Sequence, residues 1–80
     1  MYYIATFFSH FGAIRFARKC RKEGHGARLM PVPRSISSSC GTCVQFEASA
    51  DYMPEEDIHG ELQQVVRETE EGYEAIYRGE

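Results

Sequence analysis

The order of strand-like and helix-like segments is the property of this sequence that most restricts its fold. Along 80 residues the pattern predicts strand, helix, strand, strand, helix, strand. Tyr3 to Phe8 is apolar and aromatic, which favours a strand. Ser9 is a suitable cap for a helix over about His10 to Glu23, and Gly24 and Gly26 end it. The apolar positions of this helix fall on one face: Ala13, Phe16, Ala17 and Cys20.

Two short strands are predicted in the middle of the chain. Ala27 to Met30 is closed by Pro31 and Pro33, and prolines there suit an edge strand whose N–H groups are not all paired. Thr42 to Glu47 alternates, with Val44 and Phe46 on one face.

A second helix is predicted to begin at Pro54, because proline and the carboxylates that follow favour a first helical turn. These carboxylates are Glu55, Glu56 and Asp57, and the buried stripe is Ile58, Leu62, Val65 and Val66. Gly60 inside this helix costs about 1 kcal/mol relative to alanine. Gly72 ends the helix, and Tyr73 to Arg78 is a last strand.

The predicted order βαββαβ is the split βαβ, or ferredoxin-like, pattern. We therefore expect one α+β domain over residues 1–80, with a four-stranded antiparallel sheet and both helices on one face. An apolar content of 42% and a charged content of 26% are ordinary for a soluble globular chain. No segment is apolar enough to span a bilayer, and the first residues lack the basic region of a signal peptide, so we expect a cytoplasmic protein.

The net charge of −3 hides a division along the chain. Residues 1–34 carry seven basic side chains and one acidic, whereas residues 35–80 carry two basic and eleven acidic. Five of the basic residues lie on the first helix, where they could contact nucleic acid or an acidic partner. A solvated helix face is the simpler interpretation.

The segment from Ile36 to Cys43 consists of small polar residues and ends in two of the three cysteines, Cys40 and Cys43. Backbone near glycine and serine is little hindered, so successive N–H groups can converge on an anion and favour a thiolate at Cys40. In a reducing compartment, an odd number of cysteines points to catalytic, carrying or metal-binding thiols. Cys20, on the apolar helix face, is expected in the core.

The predicted topology also places this loop. A right-handed crossover makes the first two strands parallel, so Ser9, His10 and the loop from Pro33 to Gly41 should share one end of the sheet. The positive end of the helix dipole lies there and favours an anion, to which Arg34 could add a full charge.

The residues Leu29-Met30-Pro31-Val32-Pro33-Arg34 and Ile36-Ser37-Ser38-Ser39-Cys40-Gly41 resemble the selenium/sulfur (Se/S) carrier-like family. The likeness extends over nearly the whole chain. The resemblance implies that the sulfur of Cys40 is the carrier atom. Substrate-binding residues are then expected in the same motif: Arg34, Ser37, Ser38, Ser39 and Gly41.

A carrier thiolate attacks a sulfane sulfur or selenium on a donor, holds it as a persulfide or perselenide, and passes it to an acceptor. The expected partners are a cysteine desulfurase-like donor and an acceptor protein, without a cofactor or a metal; a homodimer is a further option. Cys43 could act as a resolving thiol and His10 could assist proton transfer. Such a protein is a carrier or accessory protein rather than a stand-alone enzyme.

Two other functions fit the pattern. Soft two-coordinate Cu(I), or zinc in a dimer, could be held by Cys40 and Cys43 in a metallochaperone-like module. A non-catalytic module could instead bind protein, or RNA through aromatic residues on an open sheet face. The acidic second half of the chain would repel phosphates, which makes nucleic acid the less favoured partner.

Overall fold

The computed structural model describes residues 1–55 and 60–79. Within this part the chain forms one helix and five strands. Their bounds are β1 Tyr2–Phe7, α1 His10–Lys22, β2 Ala27–Pro31, β3 Thr42–Glu47, β4 Leu62–Thr69 and β5 Gly72–Arg78.

The first half of the chain forms the predicted elements. Ser9 caps α1, and its side-chain oxygen accepts a hydrogen bond from the Gly12 amide. The predicted apolar face of α1 is confirmed, with Ala13, Ala17 and Cys20 buried. β2 lies at an edge of the sheet, as its prolines predicted, and β3 has the predicted bounds. The local signals in this half therefore agree with its packing.

The strands form a single sheet in the order β2-β3-β1-β4-β5, and all neighbours are antiparallel. Because β3 lies antiparallel between them, β1 and β2 run in the same direction. The C-terminal end of β1, the start of α1 and the β2–β3 loop therefore meet at one end of the sheet. We call this end, marked by Phe7, Ser9 and Cys40, the Cys40 end.

The predicted second helix is wrong. Leu62, Val65 and Val66 lie on β4, which pairs with β1 on one side and β5 on the other. The described residues therefore form a five-stranded antiparallel sheet with one helix, and the ferredoxin-like sheet of four strands with two helices is corrected accordingly. Gly60 has a φ of 64°, a left-handed conformation suited to a turn. The predicted positions Glu56, Asp57 and Ile58 lie outside the described residues.

A β-bulge explains why this strand resembles a helix in sequence. Phe7 pairs with Leu62 and Ala5 pairs with Val65, so Gln63 is an extra residue in β4. Leu62 and Val65 consequently join the same core cluster although they are three residues apart. Val66 joins the cluster on the opposite face of the sheet. Burial of both faces around a bulge thus reproduces the apolar spacing of a helix.

The sheet has a buried cluster on each face. The helix-side cluster contains Tyr3, Ala5, Phe7 and Phe46 among others, and α1 packs over it. The opposite cluster contains Ile4, Ile36, Cys43 and Val66. The β2–β3 loop covers this opposite cluster through Ile36. The prediction, with both helices on one face, left this face of the sheet open. None of the described helical segments has the length and apolar character to cross a membrane.

Candidate functional site

The β2–β3 loop is fixed at its two ends and in its middle. The Val32 amide donates a hydrogen bond to the Gly41 carbonyl oxygen at 3.2 Å, which closes the base of the loop. The Ile36 amide donates to the Pro33 carbonyl at 3.0 Å and forms a turn. The Ile36 side chain is 7% exposed and anchors the loop in the opposite cluster. The loop is therefore packed onto the sheet rather than extended into solvent.

Two glutamines of β4 hold the β2–β3 loop through hydrogen bonds. The Ser39 amide donates to Gln63 Oε1 at 3.0 Å, and Gln63 Nε2 donates to Ser39 Oγ at 3.2 Å. Gln64 Nε2 donates to the Ser37 carbonyl at 3.2 Å. Sequence reasoning missed both glutamines because it placed them on a helix. Gln63 is the bulged residue, so the irregularity of β4 directs its side chain at the residue before Cys40.

Cys40 lies in the part of the loop that returns to β3. Its side chain is partly exposed and packs against the helix-side cluster. Its Sγ donates a hydrogen bond to the Thr42 carbonyl oxygen at 3.3 Å, which requires the protonated thiol. Within residues 1–55 and 60–79, no amide donates to this sulfur. The predicted amide concavity around a thiolate is therefore not formed around the thiol in this conformation.

Cys43 lies on the other face of the sheet. It is 0% exposed and belongs to the opposite cluster with Ile4 and Ile36. Its Sγ donates to the Pro31 carbonyl at 3.7 Å. Burial, and to a smaller extent the negative charge of an ionised Cys40, raise the pKa of the Cys43 thiol to about 11. A resolving attack on Cys40 would require Cys43 to leave its cluster.

Cys20 is in the helix-side core, as predicted. It is 3% exposed, and its pKa is raised to about 11, mainly by burial and then by the carboxylate of Glu23. This thiol is inert for the same physical reason as Cys43, since both are kept protonated by their apolar surroundings.

The other predicted site residues make no hydrogen bond to the Cys40 sulfur in the portion that the structure describes. His10 begins α1 and is exposed, and within the described part of the chain no hydrogen bond joins it to Cys40. Arg34 is exposed in the turn. Ser38 Oγ is buried and has no hydrogen-bond partner among the described residues. Gly41 has a φ of 75°, which an L side chain rarely adopts, so glycine is required there for the backbone.

A metal site finds little support in this arrangement. Among residues 1–55 and 60–79, no three His, Cys, Asp or Glu side chains are placed to hold a metal ion. A two-coordinate Cu(I) site needs both thiolates on one side, but Cys40 and Cys43 belong to clusters on opposite faces of the sheet. For the third function, RNA binding through rings on an open sheet face, Tyr3, Phe7 and Phe46 cannot serve because they are buried on the helix side.

Comparison with known proteins gives one match. The family model described as "Putative Se/S carrier protein-like" matches residues 2–78, which is nearly the whole chain. No curated protein and no solved structure matches. The match includes the β2–β3 loop and all five strands, so the loop with Cys40 is part of the matched region.

Proposed function

Because the chain belongs to the Se/S carrier protein-like family, we propose that Cys40 carries a sulfur or selenium atom as a persulfide or perselenide and passes it to an acceptor protein. The family description names the type of cargo. The assignment to one cysteine rests on the geometry of this chain.

The observation that supports Cys40 is the difference in exposure among the three cysteines. Cys20 and Cys43 are buried, and their pKa values are raised to about 11. Cys40 is the cysteine that a donor can reach without unfolding part of the core. A transfer between two proteins needs an accessible sulfur, so accessibility favours Cys40 over the other two.

The transfer is an exchange with no net oxidation. Cys40 loses its proton, and its thiolate attacks the terminal sulfur of a donor persulfide. The S–S bond within the donor breaks, the donor cysteine leaves as a thiolate and takes up the proton, and a persulfide forms on Cys40. Selenium follows the same steps when the terminal atom of the donor is selenium. The reverse exchange, with the acceptor thiolate as nucleophile, releases the cargo.

The loop suits such an exchange because its reactive residue has small neighbours. Apart from its chain neighbours, a Cβ at Gly41 would meet no atom within 4 Å, so the space on that side of Gly41 is open. Ser39, on the other side, is exposed, while its amide is held by Gln63. Low steric bulk allows the approach of a second protein, and the fixed backbone keeps the sulfur in place.

Intact-mass measurement tests the proposal. The chain is reduced, freed of the reductant, incubated without oxygen with a cysteine desulfurase and cysteine, and then weighed. We expect one added sulfur per chain, or one added selenium when selenocysteine replaces cysteine. The adduct should disappear in Cys40→Ala.

The matched controls are Cys20→Ala and Cys43→Ala, which remove buried thiols. Both should keep the adduct. Inorganic polysulfide serves as a second donor that needs no protein contact. If polysulfide and desulfurase both leave Cys40 unmodified, or if the adduct persists in Cys40→Ala, the assignment is wrong.

A further inference from the structure

The charges of the folded chain are separated from one end of the sheet to the other. Strand register places Glu47 beside Tyr2, and Glu68 beside Tyr73, at the end where β1 begins. The β4–β5 turn at this end adds Glu70 and Glu71, and Glu74 follows on β5. Most of the described carboxylates of the second half of the chain therefore lie away from Cys40.

The Cys40 end carries the opposite charge. Arg34 is exposed in the loop, and Arg78 lies in register with Gln64, which pairs with Thr6 near the end of β1. Neither arginine has an ion-pair partner among the described residues. Glu61 is the carboxylate described at this end, and it is bound to Arg15 and to the Ser9 hydroxyl. Among residues 1–55 and 60–79, this end therefore presents two arginines without an ion-pair partner, in a chain of net charge −3.

Large apolar side chains are exposed at the same end. Phe11, in the first turn of α1, is 75% exposed, and Phe8, just after β1, is 40% exposed. Cys40 packs against the cluster that contains Phe7 and Ala13, which flank these two rings in sequence. Phe8 and Phe11 leave much of their apolar surface in solvent, and aromatic and arginine side chains are enriched at protein contacts.

We infer that Phe8, Phe11, Arg34 and Arg78 form the docking surface for the protein donor of the proposed sulfur transfer, and that the donor presents an acidic surface with an apolar pocket. This inference rests on the proposed function. Opposite charge steers the two proteins together and sets their orientation. Phe11 then supplies the buried anchor of the contact, at the same end of the sheet as Cys40.

Loading rates with two donors test the inference. The probes are a cysteine desulfurase supplied with cysteine, which must dock, and inorganic polysulfide, which need not. We expect Phe11→Ala and Arg34→Glu to slow loading from the desulfurase by about tenfold, while loading of Phe11→Ala from polysulfide stays unchanged. Added sodium chloride should reduce the effect of Arg34→Glu, because salt screens exposed charges.

Matched controls are available on the same chain. Met53→Ala removes another exposed apolar side chain, 66% exposed, in the groove beside Lys19 and Cys20. Arg28→Glu makes the same charge change on β2, in register with Gln45 and away from the loop. Both controls should load at the rate of the unmodified chain from either donor. Thermal unfolding of each variant shows that the fold is kept.

The outcomes separate the two hypotheses. If Phe11→Ala and Arg34→Glu load normally from the desulfurase, or if polysulfide loads Cys40 and the desulfurase does not, the docking surface is wrong and the carrier function stands. If neither donor loads Cys40, the proposed function fails and the inference fails with it. Self-association in sedimentation that Arg34→Glu abolishes would assign the surface to a second copy of the chain and overturn the donor assignment.

Discussion

Alkylation of the three thiols in the folded protein should proceed at very different rates. The perturbation is iodoacetamide at about pH 8, where the thiolate is the reactive form. A thiol whose pKa is about 11, as for Cys20 and Cys43, is ionised to about 0.1% at that pH. An ordinary thiol of pKa 9.0 is ionised to about 10%.

Ionisation alone therefore reduces the reactive fraction of the buried thiols about a hundredfold. A more basic thiolate is the better nucleophile, which recovers about tenfold over two pKa units. Reaction from an opened core avoids this pKa penalty, because the opened thiol is solvated, but it carries the free-energy cost of opening instead. For Cys43, in a strand with partners on both sides, opening costs several kcal/mol, and each ~1.4 kcal/mol slows the reaction about tenfold. We expect Cys40 to react at least about a thousandfold faster than Cys43.

The assay is quenched alkylation, followed by peptide mass analysis that assigns each label. In guanidinium chloride the three thiols should react within a few-fold of one another, which controls for local sequence. Comparable labelling of Cys40 and Cys43 in the folded protein would refute the burial on which the assignment of Cys40 depends.

Four further results are expected. Gln63→Ala should lower the free energy of unfolding by about 1 kcal/mol and speed hydrogen exchange at the Ser39 amide, as measured by urea denaturation and NMR; unchanged exchange would exclude the anchoring role. Gly12→Ala should destabilise the protein by about 1–3 kcal/mol, because the new Cβ would lie 2.8 Å from Glu61 Cβ. This clash should outweigh the better helix propensity of alanine, so a raised melting temperature would contradict this packing. Cys43→Ala should leave the lifetime of the loaded carrier unchanged, since the buried thiol cannot reach the adduct; mass analysis over time would show a longer lifetime if Cys43 were a resolving thiol. Folding raises the pKa of both buried thiols from 9.0 to about 11. Their contribution to stability is therefore full below pH 9 and is lost as the pH rises towards 11, by up to about 1.4 kcal/mol per pH unit for each thiol. A denaturation midpoint that stays constant over this range would argue against their burial.

Much of the architecture around Cys40 could be predicted from the sequence. The Ser9 cap, the glycines after α1 and the alternation in β3 are local signals, and the packing of this half agrees with each of them. Prolines at the end of β2 marked an edge strand, because they cannot donate to a neighbour. With the crossover rule, these elements placed the loop at the end of β1.

The sequence left the second half of the chain open to a wrong interpretation. Apolar residues at Leu62, Val65 and Val66 have helical spacing, and one sequence gives no sign of a bulge. A bulge exists only through pairing with another strand, here β1, so periodicity within β4 could not reveal it. The roles of Gln63 and Gln64 were lost with the same error, since their hydrogen bonds depend on β4 lying beneath the loop.

By itself the sequence determined that β1, α1, β2 and β3 form and that a loop of small residues with Cys40 joins β2 to β3. It could do so because helix caps, turn residues and strand alternation act between near neighbours in the chain. Only the tertiary structure decided that Cys40 and Cys43 join clusters on opposite faces of the sheet and differ in exposure. Burial is a property of contacts between distant segments. The loop covers Cys43, and the helix covers the other face of the sheet, only when the strands have paired.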